Sequence, residues 1–343
     1  MQNQTALGAQ CAAPRRATAD AGHEPSRREV ELKFWFGPFR LWTAVFDMQV
    51  EHWSGDPLGQ TVPDPAALPE GVDGLYRPSQ IVRGEEPDLR FSSTTVRYIE
   101  SRFRRRFIDL TTGFDNYMSK FSGKTRSTFR RKFRKFREAS AGTIDWRVYR
   151  SAREMEEFHL TARQVSRRTY QEKLFDAGLP DDADFVAGML ARAESGQVRG
   201  FILFLGGEPI SYLYLPIVDG RVIYGRLGFD PAYAVLSPGT ILQLLALESL
   251  FAEQCHRIFD FTEGEGEHKR LFATQEVLCG NVYYLRATTR HRTLVRLHCG
   301  TRRLADLVDR QLSRVKLKTH LKHILRGQYR APQERGRKSL PKR

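Results

Sequence analysis

Three apolar runs in the second half of the chain constrain the fold most. GFILFLGG (200–207), PISYLYLPIVDG (209–220) and VIYGRLGF (222–229) follow one another with only a short turn between them. Gly206-Gly207 and Asp219-Gly220 are pairs that accept the positive φ of tight hairpin turns. Such short runs, rich in β-branched and aromatic residues, predict three strands of an antiparallel meander. Ordered segments surround them. IDWRVYR (144–150) reads as a strand, 154–175 as a long helix and 182–194 as a second helix. After the meander come a helix over 237–255, a strand in RIFDFTEG (257–264), a short helix over 267–273 and a last strand in EVLCGNVYYLRA (276–287).

The first half is less regular. VELKFWF (30–36) and FRLWTAVFDMQV (39–50), joined by Gly37-Pro38, predict a hairpin or two neighbouring strands. Residues 54–88 are rich in Pro, Gly and Asp and read mainly as loop, with one apolar patch at Leu75-Tyr76. Residues 96–110 alternate well enough for a pair of strands. KTRSTFRRKFRKFRE (124–138) places Phe129, Phe133 and Phe136 at i, i+4 and i+7, one apolar stripe with Arg and Lys on every other face. That pattern suits a helix docked on a core with solvated charges; it also suits binding of an anionic ligand, an anionic membrane or RNA.

Charge is distributed unevenly. From Arg286 to Arg343 there are 18 Lys and Arg against Asp306, Asp309 and Glu334, so this segment holds the whole net charge of +15 and the first 285 residues sum to zero. A segment of that kind is drawn to anionic surfaces. Within it, 302–326 predicts a basic amphipathic helix with Leu304, Leu307, Val308, Leu312, Val315, Leu321, Ile324 and Leu325 roughly on one face, followed by a basic tail. No run approaches the roughly 18 apolar residues of a membrane helix. The longest apolar stretch, 241–252, is interrupted by Gln243, Glu248 and Ser249. The first 28 residues have no apolar core of a secretory signal and read as a disordered tail. Cys11, Cys255, Cys279 and Cys299 form no CxxC pair, which disfavours a disulfide framework or a zinc site and points to a reducing cytoplasm. His159 and His256 read as structural or exposed.

The order strand, two helices, three strands, helix, strand, helix, strand over 143–287 resembles the GNAT acyltransferase fold. DNYMSKFSGKTRSTFRRKFRKF, YGRLGFDPAYAVLSPGTILQLLALESLF and FDFTEGEGEHKRLFAT, in that order, resemble the CelD-like branch linked to cellulose and exopolysaccharide biosynthesis, over about residues 30–290. That branch is distantly similar to the Fem-type aminoacyltransferases, which carry two GNAT-like halves. The resemblance implies an α/β (α+β) fold of two such halves, with a mixed, mostly antiparallel sheet flanked by helices and a C-terminal basic helix. The division implied is a tail (1–28), a degenerate first half ending in the basic helix (29–140), a working half (141–290) and a basic helix and tail (291–343).

The same resemblance implies an acyl-CoA donor, acetyl-CoA in the first instance, and no metal. CoA phosphates want free amides at a positive helix end. Ser237, Pro238, Gly239 and Thr240 open the helix after the meander, with Ser237 as N-cap and Pro238 in first position. The family's glycine-rich phosphate loop is matched only at Gly239. Arg226, Leu227, Gly228 and Phe229 of the preceding strand would line the pantetheine. Direct attack of an acceptor on the thioester needs a base, and FTEGEGEHKR (261–270) supplies carboxylates and an imidazole in a flexible loop. Glu263 is the first choice, with Glu265 and His268 behind it. Tyr224 is a candidate proton donor to the leaving thiolate, and Lys269 and Arg270 are candidates for holding a phosphate or the acceptor. The implied acceptor is a sugar, polysaccharide precursor or amino sugar, with peripheral attachment to an anionic membrane through 302–326. Two other readings keep the fold: a Fem-like transfer from aminoacyl-tRNA, and an inactive scaffold that binds anionic surfaces.

Overall fold

The computed structural model describes residues 26–36, 39–52, 63–169, 178–264 and 266–314. Twelve strands form one open, mostly antiparallel sheet. They are β1 (Ser26–Phe36), β2 (Phe39–Val50), β3 (Gly74–Ile81), β4 (Leu89–Phe91), β5 (Thr95–Asp109), β6 (Asp145–Tyr149), β7 (Val198–Leu205), β8 (Glu208–Val218), β9 (Arg221–Ile223), β10 (Arg226–Phe229), β11 (Ile258–Asp260) and β12 (Gln275–Arg286). The spatial order is β1-β2-β3-β12-β5-β11-β9-β8-β7-β6, with β10 on β8 and β4 on β5. Two pairs, β2 with β3 and β9 with β11, are parallel. The helices are α1 (Phe114–Ser119), α2 (Gly123–Ala139), α3 (Ala152–Ser166), α4 (Ala183–Glu194), α5 (Pro238–Glu253), α6 (Glu267–Phe272) and α7 (Thr289–Arg314). The chain is thus a mixed α/β fold, an open sheet flanked by helices.

The meander forms where the apolar runs predict it, but its third strand is broken. β9 and β10 both pair with β8, and the register slips by one residue between Val222, opposite Ile217, and Arg226, opposite Tyr214. Tyr224 and Gly225 occupy the break. β9 stays paired with β11, and the amide of Tyr224 donates to Asp260 O at 2.8 Å. Beyond that bond the chain turns away: among the described residues β10 has β8 as its strand partner. A wedge therefore opens between β10 and β11.

α5 lies against the meander and is apolar nearly all round, with Ile241, Leu242, Ala246, Leu247 and Leu250 fully buried. A helix without a polar face needs cover on every side. The sheet covers one side of it, and α1 and α2 add Tyr117, Phe129 and Phe136 to the same core. α3 and α4 cover the other face, with Met155, Phe158 and Met189 fully buried. In α2 the aromatic stripe is buried as expected, Phe129 and Phe136 fully and Phe133 in part.

Several expectations need correction. β3 lies in the stretch read as loop; its apolar content is low, and pairing with β12 and β2 makes it a strand. Residues 95–109 form one long strand, not two, because β12 runs along it from Thr95 to Phe107 and β11 takes over its last residues. The basic run in β5 does not break the strand, since each charge meets a carboxylate: Arg102 pairs with Asp88, Arg104 and Arg106 with Glu276, and Arg105 with Asp260. α3 ends at Ser166, short of the predicted 175, and residues 170–177 lie outside the described set. The C-terminal helix begins at Thr289, not 302. Its packed face is His291, Val295, His298 and Cys299, whereas Leu304 and Leu307 are more than half exposed. The rest of the predicted 302–326 helix, from 315 on, and the basic tail lie outside the described residues, as does most of the 1–28 tail. In the sheet, β12 lies between β3 and β5.

Candidate functional site

The wedge is bounded by β10, against which the start of α5 packs, and by the end of β11, from which the loop to α6 leaves. Its anchor is Asp260, fully buried at the end of β11. Arg105 donates to both of its carboxylate oxygens, at 3.1 and 2.6 Å, and the amide of Thr262 donates to Oδ1 at 2.7 Å. That last bond holds Thr262 at φ +59°, a conformation that costs a β-branched residue on the order of 1–3 kcal/mol. The chain then bends through Gly264, φ +116°, into α6.

The bend brings His268 of α6 onto Tyr224. The ring centroids are 5.9 Å apart, and the Phe261 ring lies beside both. Burial, with the charge of Lys269 behind it, holds the His268 imidazole below its ordinary value, so the ring is neutral at neutral pH. Burial alone pushes the Tyr224 phenol well above its ordinary range and keeps it protonated. A neutral imidazole that can accept a proton and a phenol that can give one thus stand at the mouth of the wedge.

Glu263 is placed differently. It is exposed, its carbonyl accepts from Lys269 Nζ at 2.5 Å, and the charge of its carboxylate acts on Tyr76 of β3 and on Lys269. Glu265 lies outside the described residues. Lys269 is therefore tied back to the loop, while Arg270 is exposed and lines a cleft of about 780 Å³ between α2 and α6. Lys120, Ser122, Thr125, Glu267 and His268 line the same cleft. Lys120 Nζ caps the end of α6, donating to the carbonyls of Leu271 at 3.0 Å and Phe272 at 2.8 Å and to that of Ala273.

The start of α5 departs from expectation. Ser237 is left-handed, φ +55° and ψ +47°, and its side chain makes no capping bond. The reason is the 3-10 turn over Pro231–Leu236, which delivers the chain to the helix from the wrong direction for a side-chain cap. Pro238 does occupy the first helical position. Its missing N–H, together with the Thr240 and Ile241 amides that donate to Ser237 O at 3.1 and 3.2 Å, leaves Gly239 as the free amide of the first turn among the described residues. Gly239 is also a packing requirement, since a Cβ there would meet Leu227 Cδ2 at 3.0 Å and Phe229 Cδ1 at 3.4 Å. Leu227 and Phe229 thus point at α5, and a Cβ on Gly228 would strike the Tyr212 ring at 2.4 Å. Of the four β10 residues, Arg226 lies nearest the break.

A cation that sequence reading did not single out stands at this helix start. Lys132 of α2 donates from Nζ to Thr240 Oγ1 at 3.2 Å. Burial and the neighbouring Arg131 lower its pKa. The sequence signal lies in its spacing: three residues after Phe129 and four before Phe136, Lys132 shares the flank of the buried stripe. Elsewhere, Glu253, Cys255 and His256 bring ligand atoms within 4.8 Å of one another, but Arg199 and Arg150 already pair with Glu253. The three cysteines among the described residues are free thiols.

Residues 123–270 match the profile of the acetyltransferase (GNAT) domain family. The match spans less than half of the chain; domains of that family use acyl-CoA. No curated protein matches the chain. Among solved structures it is similar to the C-terminal domain (DUF2156) assigned to a lysylphosphatidylglycerol synthetase of Agrobacterium fabrum, at 11% identity and TM-score 0.41, covering 60% of this chain and 66% of that one. FemX gives 11% identity and TM-score 0.40 over 56% of this chain and 63% of that one. A GCN5-related N-acetyltransferase of Kribbella flavida gives 13% identity and TM-score 0.29 over 55% and 59%. The chain spans less than two thirds of the length of each. No helix among the described residues is long and apolar enough to cross a membrane.

Proposed function

We propose that the chain transfers an acyl group, in the first instance acetyl, from acyl-CoA to a hydroxyl or amine of a saccharide or polysaccharide precursor. The observation that carries this reading is the wedge between β10 and β11 with Tyr224 and His268 at its mouth. An extended pantetheine fits the open edge of β10. The donor phosphates fit the start of α5, where the Gly239 amide and Lys132 supply the positive charge that a glycine-rich loop would otherwise provide. His268 takes the proton of the attacking acceptor, and Tyr224 returns one to the sulfur as the thioester C–S bond breaks. The cleft beside His268, lined by hydroxyl, carboxylate and cationic groups, suits the hydroxyls of a sugar. The exposed Leu304, Leu307 and Val308 of α7 and the basic sequence after them support peripheral attachment to an anionic membrane.

Calorimetric titration with acetyl-CoA and with CoA at two salt concentrations tests the donor. Micromolar binding that persists at the higher salt is expected, together with a roughly tenfold loss in Lys132→Ala, the size of one charge-assisted phosphate contact. Absence of binding, or weak binding that salt removes, overturns the acyl-CoA reading.

A further inference from the structure

The flank of α2 away from Lys132 forms one wall of a second groove. At 100° per residue, positions 126, 130, 134 and 137 lie on one side of this helix and Lys132 on the other. The groove runs between α1, α2 and α5 and encloses about 770 Å³. Its floor is apolar: Phe114, Met118 and Phe133 are half-buried and Leu244 is buried. Its rim is cationic, made by Arg126, Arg130, Arg131, Arg134 and Arg137. Among the described residues only Arg134 of these pairs with a carboxylate, Glu138 at 3.8 Å, and both partners are largely exposed. Arg126 buries its Nε without a hydrogen-bond partner.

Two features define what fits. All five basic residues on the rim are arginines, whereas Lys124, Lys132 and Lys135 of the same helix lie off the groove. The guanidinium fork matches phosphate oxygens in pairs, which an ammonium cannot do. The apolar floor lies directly beneath the rim. A polyanion would satisfy the arginines and leave the floor in water; a neutral lipid would cover the floor and leave the arginines unpaired. Glu248, the carboxylate lining the groove, is pushed up by burial and by Asp115, which reduces its opposition to an anion.

We propose that this groove binds a single-chain anionic amphiphile, an alkyl chain ending in a phosphate, with the chain on the floor and the phosphate on the arginine rim. The site is separate from the transfer site and does not depend on the proposed donor.

The full chain would be titrated with monomeric dodecyl phosphate, dodecyl maltoside and inorganic phosphate, and mixed with vesicles containing anionic phospholipid. Dodecyl phosphate should bind at least tenfold more tightly than the maltoside or free phosphate. Arg130→Glu/Arg134→Glu should lose at least tenfold of that affinity. Ser127→Trp, which fills the groove without changing its charge, should lose as much. All three side chains are exposed, so thermal melts of both variants should match the parent. Dodecyl phosphate binding no better than either half of the molecule, or binding that survives both variants, overturns the proposal. So does retention on anionic vesicles or on a short RNA without binding of the monomer, which would assign the arginines to a bilayer surface or to nucleic acid. Acetyl-CoA titration of the same variants should be unchanged, so the outcome is independent of the donor reading.

Discussion

His268 shows how a single residue can be legible in type and illegible in role. The sequence offers it beside three carboxylates, and charge alone favours Glu263. The mechanism proposed above puts His268 first, because α6 turns the imidazole onto Tyr224, while the charge of Glu263 acts on Tyr76 and Lys269. His268→Asn should lower turnover by about 10²–10⁴-fold, the usual range for a positioned base, and leave CoA binding intact. The pH profile carries a sharper test. Burial and Lys269 both depress the imidazole, so it stays neutral to below the ~6.5 of a free histidine. The acid limb of kcat/KM should therefore fall below pH ~6.5. Removing the cation in Lys269→Met should move that limb to higher pH. A limb that stays in place when Lys269 is neutralised would separate the titration from His268.

At the scale of elements, the seam between β5 and β11 ties the two halves of the sheet at the site. Ile258, Phe259 and Asp260 face Asp109, Ile108 and Phe107 across it. Arg105 and Asp260 close the seam with a nearly buried ion pair. Removing one partner of such a pair strands the other charge at a cost of about 3–5 kcal/mol. Arg105→Met should fall toward the lower end of that range, because the Arg221 charge also acts on Asp260. Chemical denaturation measures it, and a loss under about 1 kcal/mol would show that the pair is not what holds the seam.

Sequence periodicity located this seam only in part. The meander, α2 and α4 were legible because local apolar spacing dictates them. β3 was not, because a strand with Arg77, Pro78 and Ser79 becomes one through its neighbours on either side. The start of α5 was misread for a related reason. Ser-Pro-Gly suits an N-cap locally, but the preceding 3-10 turn sets the Ser237 backbone to a left-handed conformation. The Lys132–Thr240 contact joins residues 108 apart, and no local pattern encodes a pairing over that distance.

Across the whole molecule, the basic C-terminal segment is partly a structural member. α7 runs along β1: His291 packs edge-on against Phe46, which lies opposite Val30, and His298 packs against Phe34 further along. His298 is buried, with Nδ1 2.6 Å from the Tyr98 hydroxyl and Nε2 3.2 Å from Lys33 O. A neutral ring satisfies both contacts, accepting from the phenol and donating to the carbonyl. Burial lowers its pKa. The Lys33 carbonyl and the Glu100 charge oppose that shift in turn, and Arg302 adds to it. The folded value therefore lies below the unfolded ~6.5, so the stabilisation is fully present above pH ~6.5 and is lost as pH falls through the folded value. The unfolded chain takes up its proton first, and stability drops by up to ~1.4 kcal/mol per pH unit. His298→Phe keeps the contact with Phe34 and removes the ring's bonds to the Tyr98 hydroxyl and Lys33 O. It should cost about 1–3 kcal/mol at pH 7.5 and flatten the decline between pH 6.5 and 5, measured as the difference from the parent so that the other histidines cancel. An equal slope in parent and variant would mean that protonation of His298 does not govern how α7 is held, and that the rest of its packed face, His291, Val295 and Cys299, keeps the helix docked.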